Sequence, residues 1–420
     1  MRRFVLTCGA LVTLLAAGPP VAAAQTPAAV LTAALNRGMR QIGGASGAYV
    51  VDSTTGQVLF SQAAGVGRMP ASVEKLYTTT TALLRMGPNA TIITTVLGVG
   101  TVNPLGQWQG TLYLRGGGDP TFGSASFDRL AYGTGGTMQG LVANLLRTTH
   151  ITSIQGQIVG DESYFDSLRG TPWSRYRPDL PDIAGQLSAL AYDRGFGNFS
   201  GTVPQSRPAL YATQQFVAAL RHAGVKVPSN TPVYTGRTPV GAQQVATVRS
   251  PPIAKLIQLT NTPSDNYLAE MLVKGLGARF AGSGTTAAGA SVVRAEMASK
   301  FGFTPRVNDG SGLSRFDSTS PIQVVTLLRQ MQGNPDFVGS LAIGGETGTL
   351  QHEMRGTIAQ GNCHGKTGTL RDVANLAGYC RARDGHTLVF GFLANGLGSP
   401  DYVHMVEGNA MAPALASYNG

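Results

Sequence analysis

Pro70-Ala71-Ser72-Val73-Glu74-Lys75-Leu76-Tyr77 opens the segment whose reading decides the fold. Proline suits a helix start, apolar Val73, Leu76, Tyr77, Leu83 and Leu84 recur at helical spacing, and Gly87-Pro88 stops the run. Ser72 therefore falls in the first turn, with Lys75 one turn further along the same face. A serine hydroxyl is a weak nucleophile until a base takes its proton, and the chain offers no His or Asp in a G-x-S-x-G setting to do so. Lys75 can take that role if partial burial or a neighbouring cation lowers its pKa, and Lys366 is a candidate for that cation. Exposed backbone N–H groups at the helix start would favour negative charge on an attacked carbonyl.

Two further short motifs follow in order. Ser264-Asp265-Asn266 comes after Pro263 and before a helical pattern over Asn266 to Phe280, where helix-capping residues collect in any case. Ser417-Tyr418-Asn419 repeats the Ser-x-Asn pattern at the C-terminal end and is treated as coincidence. Lys366-Thr367-Gly368 has a competing reading, because Gly365-Lys366-Thr367 ends like a phosphate-binding loop. That loop needs glycine at position 360, which is Gln360, and Thr369-Leu370-Arg371-Asp372 continues as strand and turn instead of helix. Only six basic residues are lysine against 26 arginines, and two of the six, Lys75 and Lys366, lie in these motifs. Lysine can lose its proton in a site, whereas arginine cannot.

Around these motifs the pattern changes twice. Leu31 to Ile42 reads as a helix, and Ala48 to Phe60 as a hairpin turning at Asp52 to Gly56. From about Thr91 to Val248 short β-like runs (Thr91 to Val99, Thr111 to Leu114, Gln157 to Val159) alternate with glycine-rich turns, interrupted by helical segments at Met138 to Arg147 and Thr213 to His222. Helical patterns return at Ile253 to Leu259, Asn266 to Phe280, Ala287 to Phe301 and Ile322 to Met331, and the end reads as β over Lys366, Ala374 to Cys380 and Thr387 to Ala394. An early hairpin and late strands imply one sheet assembled from both ends of the chain. The expected fold is α+β: a catalytic domain over 25–90 and 249–420, split by a β-rich insertion over 91–248.

The N-terminus reads as an export leader over 1–24. Arg2 and Arg3 precede an apolar stretch from Phe4 to Ala17, Gly18-Pro19-Pro20 breaks it, and Ala22-Ala23-Ala24 offers a small-residue cleavage site after Ala24. Fourteen apolar residues fall short of the ~20 that span a bilayer, and no later segment looks like a membrane span. An exported protein of the periplasm or cell wall is expected. With 56 Gly, 23 Pro and 42% hydrophobic residues over 420 positions, the composition is that of a globular enzyme of two or three domains. Without the two leader arginines, 30 basic residues face 22 acids, a net charge of +8. The basic residues form no run of the nucleic-acid-binding type, and at most peripheral membrane contact is expected.

The order Ser72-x-x-Lys75, Ser264-x-Asn266, Lys366-Thr367-Gly368 is the motif set of penicillin-binding proteins and class A β-lactamases. The 188 residues between Lys75 and Ser264 are far more than a β-lactamase has. With Leu114-Arg115-Gly116-Gly117-Gly118-Asp119-Pro120, Gly160-Asp161-Glu162-Ser163-Tyr164-Phe165 and Asp309-Gly310-Ser311-Gly312-Leu313-Ser314-Arg315, the chain resembles the class C low-molecular-mass penicillin-binding proteins, the D-alanyl-D-alanine carboxypeptidase/endopeptidases of peptidase family S13. The resemblance implies a penicillin-binding-protein/β-lactamase-like catalytic domain, an antiparallel sheet with helices. It implies an acyl-enzyme on Ser72 with Lys75 accepting its proton, Ser264 relaying a proton to the leaving group and Asn266 holding a substrate amide. Lys366 would organise the site electrostatically. Thr367 and Thr369, with Gly368 between them, would receive the terminal carboxylate of D-alanine, and the backbone N–H groups of Ser72 and Thr369 would form the oxyanion hole. A peptidoglycan peptide would be the substrate and β-lactam antibiotics covalent inhibitors, with no cofactor. The alternatives are a β-lactamase, which the long insertion and the lack of an evident deacylating glutamate loop oppose, and a non-catalytic wall-binding protein of the same fold.

Of three cysteines, Cys8 belongs to the leader and is too near the N-terminus for a lipoprotein anchor. A turn at Arg371-Asp372 sets Cys363 opposite Cys380 on adjacent antiparallel strands, so a cross-strand disulfide is expected in an oxidising compartment. The six histidines show no metal-binding spacing: His352-Glu353 lacks a second histidine four residues on, and His364 stands alone.

Overall fold

The computed structural model describes residues 1, 26–179, 181–198 and 200–420; the expected leader and its cleavage point lie outside the described residues. Helix α1 (Pro27–Ile42) leads into the hairpin β1 (Ala45–Asp52) and β2 (Val58–Gln62), and a 3-10 turn over Ala71–Glu74 runs straight into α2 (Lys75–Met86). The next stretch supplies β3 (Ile93–Val102), β4 (Gln107–Arg115), α3 (Ala125–Ala131), α4 (Met138–Thr149), β5 (Ser153–Asp161), α5 (Pro208–His222), β6 (Val233–Thr235) and β7 (Gln243–Arg249). Helices α6 (Ile253–Asn261), α7 (Asn266–Phe280), α8 (Thr286–Glu296), α9 (Pro321–Met331) and α10 (Pro335–Val338) follow. Strands β8 (Ala342–Ile343), β9 (Cys363–Leu370), β10 (Val373–Arg381) and β11 (Thr387–Asn395) then precede α11 (Pro400–Val406) and α12 (Ala412–Ala416).

The first and last thirds of the chain build one six-stranded antiparallel sheet in the order β2-β1-β11-β10-β9-β8. Strands β10 and β11 are buried along almost their whole length because helices cover both faces. One face packs on α2 and α6 to α9 through Leu76, Leu272, Val325 and Val389; the other packs on α1, α11 and α12 through Leu35, Phe390, Phe392 and Leu415. The middle of the chain forms a separate five-stranded mixed sheet, β6-β5-β4-β3-β7, whose core includes Leu112, Leu141, Ile158 and Phe216. A smaller cluster, with Phe165, Ile183 and Leu187 from the middle segment against Tyr267, Leu268 and Met271 of α7, joins the two bodies.

Helix α2 lies at the centre and is buried on nearly every side, including Thr78, Thr79, Thr80 and Thr81. Buried threonines are tolerated where the hydroxyl finds a backbone acceptor. Thr79 donates to the Lys75 carbonyl at 2.7 Å and Thr81 to that of Tyr77 at 2.8 Å, while Thr78 reaches across to the Gly310 carbonyl at 3.0 Å.

The C-terminal end departs from the all-β expectation. After β11 the chain turns helical through α11, a π-helical turn over Glu407–Met411, and α12. These helices are short and carry a proline in their first turn, so no periodic apolar stripe marks them in the sequence. Pairing across β9 and β10 follows the turn at Arg371-Asp372, setting Val373 opposite Leu370 and Cys380 opposite Cys363. The two sulfurs are 2.07 Å apart and both residues are buried. Cutting a bridge that closes a loop of this length is expected to cost about 3 kcal/mol of stability. Unfolding melts of oxidised protein against a Cys363→Ser, Cys380→Ser variant check this, and coincident curves would contradict it.

Candidate active site

The three motifs converge around Lys75. Ser72 lies in the 3-10 turn that feeds α2, and Lys75 is fully buried at the head of the helix. Its Nζ donates to Ser72 Oγ at 2.8 Å, to Asn266 Oδ1 at 2.6 Å and to the Ser311 carbonyl at 2.8 Å. Burial is the main influence on this amine and lowers its pKa to about 8, against the upward pull of Asp309, Glu270, Asp265 and Glu74. Lys366, expected to act as the depressing neighbour, is not the dominant cause. It is itself fully buried on β9, where burial first and Lys75 second push it well below the ordinary amine range.

Ser264 and Asn266 flank Asp265, the N-cap of α7, whose side chain accepts from the Leu268 N–H at 2.9 Å. Ser264 adopts a left-handed conformation (φ 64°), which turns the chain from α6 into α7. Its half-buried hydroxyl makes no hydrogen bond among the described residues, whereas Asn266 bridges Lys75 and the Asp182 carbonyl, accepting from the first and donating to the second at 2.6 Å. Arg194 braces the same helix end by pairing with Asp265 while lying over the rings of Tyr132 and Tyr267. The middle segment thus contributes Asp182 and Arg194 to the rim of the site.

Strand β9 forms the opposite wall. Thr367 donates its hydroxyl to Thr349 at 2.8 Å, and Thr369 shares a 2.7 Å hydrogen bond with His404 Nε2. Gly368 stands against the turn that carries Ser72: a Cβ there would lie 2.5 Å from the Pro70 carbonyl oxygen and 3.3 Å from Ala71 Cβ. On the other side Gly312 packs against the same turn, its would-be Cβ 1.8 Å from the Ala71 carbonyl oxygen. Ala71 itself has φ 46°, an uncommon conformation for a residue with a side chain, held by this two-sided grip.

Several residues that fix the site carry no motif. Asn375 Nδ2 donates to the Met69 and Pro70 carbonyls at 3.0 and 2.7 Å, and Asn395 accepts from Met69 N–H at 2.8 Å, so two amides on β10 and β11 clamp the lead-in to Ser72. Arg68, buried just upstream, gives its guanidinium to the carbonyls of Ala45, Ser46, Ala63 and Val66. Glu270 accepts from the Gly310 and Ser311 N–H groups at 3.0 and 2.8 Å, and Asp309 from those of Gly312 and Ser314 at 2.7 and 2.8 Å. These carboxylates hold the loop that presents the Ser311 carbonyl to Lys75, and burial raises both, Glu270 to about 8. Two of these residues are signalled in the sequence: Asp309 by the run Asp309 to Arg315, and Asn375 as an asparagine in the apolar run Val373-Ala374-Asn375-Leu376-Ala377.

A serine bonded to a buried, pKa-depressed lysine, beside an asparagine and a lysine-bearing strand, defines a serine acyl-transfer site. The family model described as "D-Ala-D-Ala carboxypeptidase 3 (S13) family" matches residues 29–198 and 190–415, so the chain belongs to that family and is a serine-type DD-peptidase. It is similar to a D-alanyl-D-alanine carboxypeptidase from an Actinomadura species, 30% identical across 90% of this chain and 82% of the relative. It is also similar to the carboxypeptidase DacB of Mycolicibacterium smegmatis, 28% identical across 83% of this chain and 76% of the relative. The fold is that of penicillin binding protein 4 from Haemophilus influenzae (TM-score 0.71, 20% identity, 89% of this chain and 97% of that one). A predatory endopeptidase of Bdellovibrio bacteriovorus, solved as its penicillin G acylated form, shares it more distantly (TM-score 0.52, 16% identity, 87% and 90%).

Gly368→Ala tests the two-sided grip. The added methyl must displace the turn carrying Ser72, and a shift near 1 Å can cost about 10²-fold in rate. Labelling by a fluorescent penicillin is expected to slow by about that factor. Labelling at the wild-type rate would show that the turn has room to spare.

Proposed function

We propose that Ser72 is the nucleophile and Lys75 the base of a DD-carboxypeptidase, with endopeptidase action on the same bond type in cross-linked peptides, and that β-lactams acylate Ser72. The observation that carries this is the 2.8 Å contact between Lys75 Nζ and Ser72 Oγ in a site where burial lowers the amine toward neutrality. In the neutral state the amine lone pair accepts the Ser72 proton as Oγ attacks the carbonyl of the penultimate D-alanine. The tetrahedral adduct expels the terminal D-alanine, whose nitrogen takes a proton by way of Ser264, a hydroxyl with no hydrogen bond among the described residues. Water then cleaves the ester and returns Ser72. Asn266 holds a backbone amide of the stem peptide. The arriving carboxylate lies between Thr367 and Thr369, and its charge favours the protonated form of Lys366.

In this reading residues 25–90 and 249–420 form the catalytic unit, 91–248 an insertion whose loops reach the rim, and the leader sends the enzyme to the periplasm or cell wall. Asp182 and Arg194 support a role for the insertion in shaping the substrate cleft.

Incubation with a fluorescent penicillin and with a D-Ala-D-Ala peptide, alongside Ser72→Ala, tests the assignment. A persistent label and D-alanine release, both absent from the variant, are expected; rapid penicillin turnover would point to a β-lactamase, and no label on the wild type would sink both enzymatic readings. The pH dependence has a fixed sign. Protonated Lys75 has no lone pair, so acylation rises as pH climbs through about 8. Lys75→Arg is expected to lower the high-pH plateau by about 10²- to 10⁴-fold and to abolish the rise through about 8. An acylation rate flat from about pH 6 to about pH 9 would remove Lys75 as the base.

A further inference from the structure

We propose that His404 is a positioning residue for the carboxylate end of the substrate, its ring proton deciding whether the Thr369 hydroxyl donates toward the bound carboxylate or away from it. The inference rests on the reading above that Thr369 receives the terminal carboxylate.

Thr367 and Thr369 lie two residues apart on β9 and therefore share one face of the strand. Behind them is a cavity of about 140 Å³ lined in part by Thr349, Glu353, Thr367, Thr369 and His404. His404 enters it from α11 and spends both ring nitrogens. Nε2 meets Thr369 Oγ1 at 2.7 Å, and Nδ1 lies 3.3 Å from Glu407 Oε2. Glu407 is fully buried in the π-helical turn that follows α11, an irregularity often found where a helix serves a site. That turn is tied to the loop carrying Glu353 by Asn409 Oδ1, which accepts from the Met354 N–H at 2.9 Å. The ionisable groups facing the ring are Glu407 on the π turn, Glu353 on the loop and Asp401 at the head of α11, with His352 next to Glu353. Burial works against charge on His404, but these three carboxylates outweigh it and raise the imidazole above its ordinary value.

The proton accounting follows from the two contacts. The Glu407 carboxyl, 3.3 Å from Nδ1, favours the tautomer that carries its hydrogen there, so the neutral ring offers Nε2 as an acceptor. Thr369 then donates to the ring, and only its oxygen lone pairs face an incoming carboxylate, which they repel. In the imidazolium, Nε2–H donates to Thr369 Oγ1 instead, and the threonine hydrogen is released to donate to the carboxylate. Carboxylate binding and protonation of His404 therefore favour each other. Lys75 must be neutral and His404 charged, so the two groups impose opposite limbs on kcat/KM, and the His404 limb belongs to KM alone.

The test uses an N-acylated peptide ending in D-Ala-D-Ala and the same peptide as its C-terminal amide, the amide read as a competitive Ki where turnover is slow. For the wild type, KM of the acid is expected to rise about tenfold as pH climbs past the His404 pKa, the effect of losing one charge-assisted hydrogen bond, while the value for the amide stays flat. His404→Gln keeps an N–H pointed at Thr369 without titrating, so its KM for the acid should be low and independent of pH. His404→Leu should show the high KM throughout, and melting curves confirm that both variants fold. Should His404→Gln retain the wild-type pH profile, the role assigned to His404 is overturned. Thr369→Val distinguishes the carboxylate site from the His404 contact. A penalty confined to the acid upholds the carboxylate site whatever His404 does, whereas an equal penalty for acid and amide removes the carboxylate site itself.

Discussion

Burying an ammonium group without partners costs several kcal/mol, and this protein places one, Lys75, at its centre with three acceptors drawn from distant parts of the chain. Ser72 comes from the same turn, Asn266 from the head of α7 and Ser311 from a loop that two further carboxylates hold. Removing any one leaves a buried donor unsatisfied, so the geometry of the site is enforced by the stability of the core. The same burial makes the amine lose its proton readily. One constraint thus supplies both the alignment of the motifs and the lowered pKa of the amine.

Much of this was legible in the residues because it is local. The start of α2, the helix over Asn266 to Phe280 and the turn at Arg371-Asp372 are each written in a few neighbouring positions. That turn put Cys363 opposite Cys380 and Lys366 on a strand beside Ala377. The order of the motifs and the length of the gap between the first two carried the rest of the fold.

What stayed hidden depends on contacts between residues far apart in sequence. Glu270 grips backbone 40 residues away and Asn375 backbone 305 residues away, pairings that leave no periodic trace. The helices α11 and α12 were unreadable because each is under two turns long, and with them went His404, whose role comes from a partner 35 residues upstream. The sign of the Lys75 perturbation was foreseeable from its type, with burial and a neighbouring cation as its two candidate causes; which of them dominates was not. Burial dominates over Lys366, and only the packed structure reveals that both lysines are wholly enclosed.

Strand β1, made within the first 52 residues, pairs on one side with β2 and on the other with β11, which ends at Asn395. During synthesis the residues of the Ser72 turn are therefore made long before the strands that hold them, since β9, β10 and the Asn395 amide come more than 280 residues later. The five-stranded sheet has no such dependence, for every strand in it comes from residues 93–249. The site is consequently completed only after β9, β10 and β11 have been made, and a truncated chain lacking those strands would carry Ser72 and Lys75 without the wall they face.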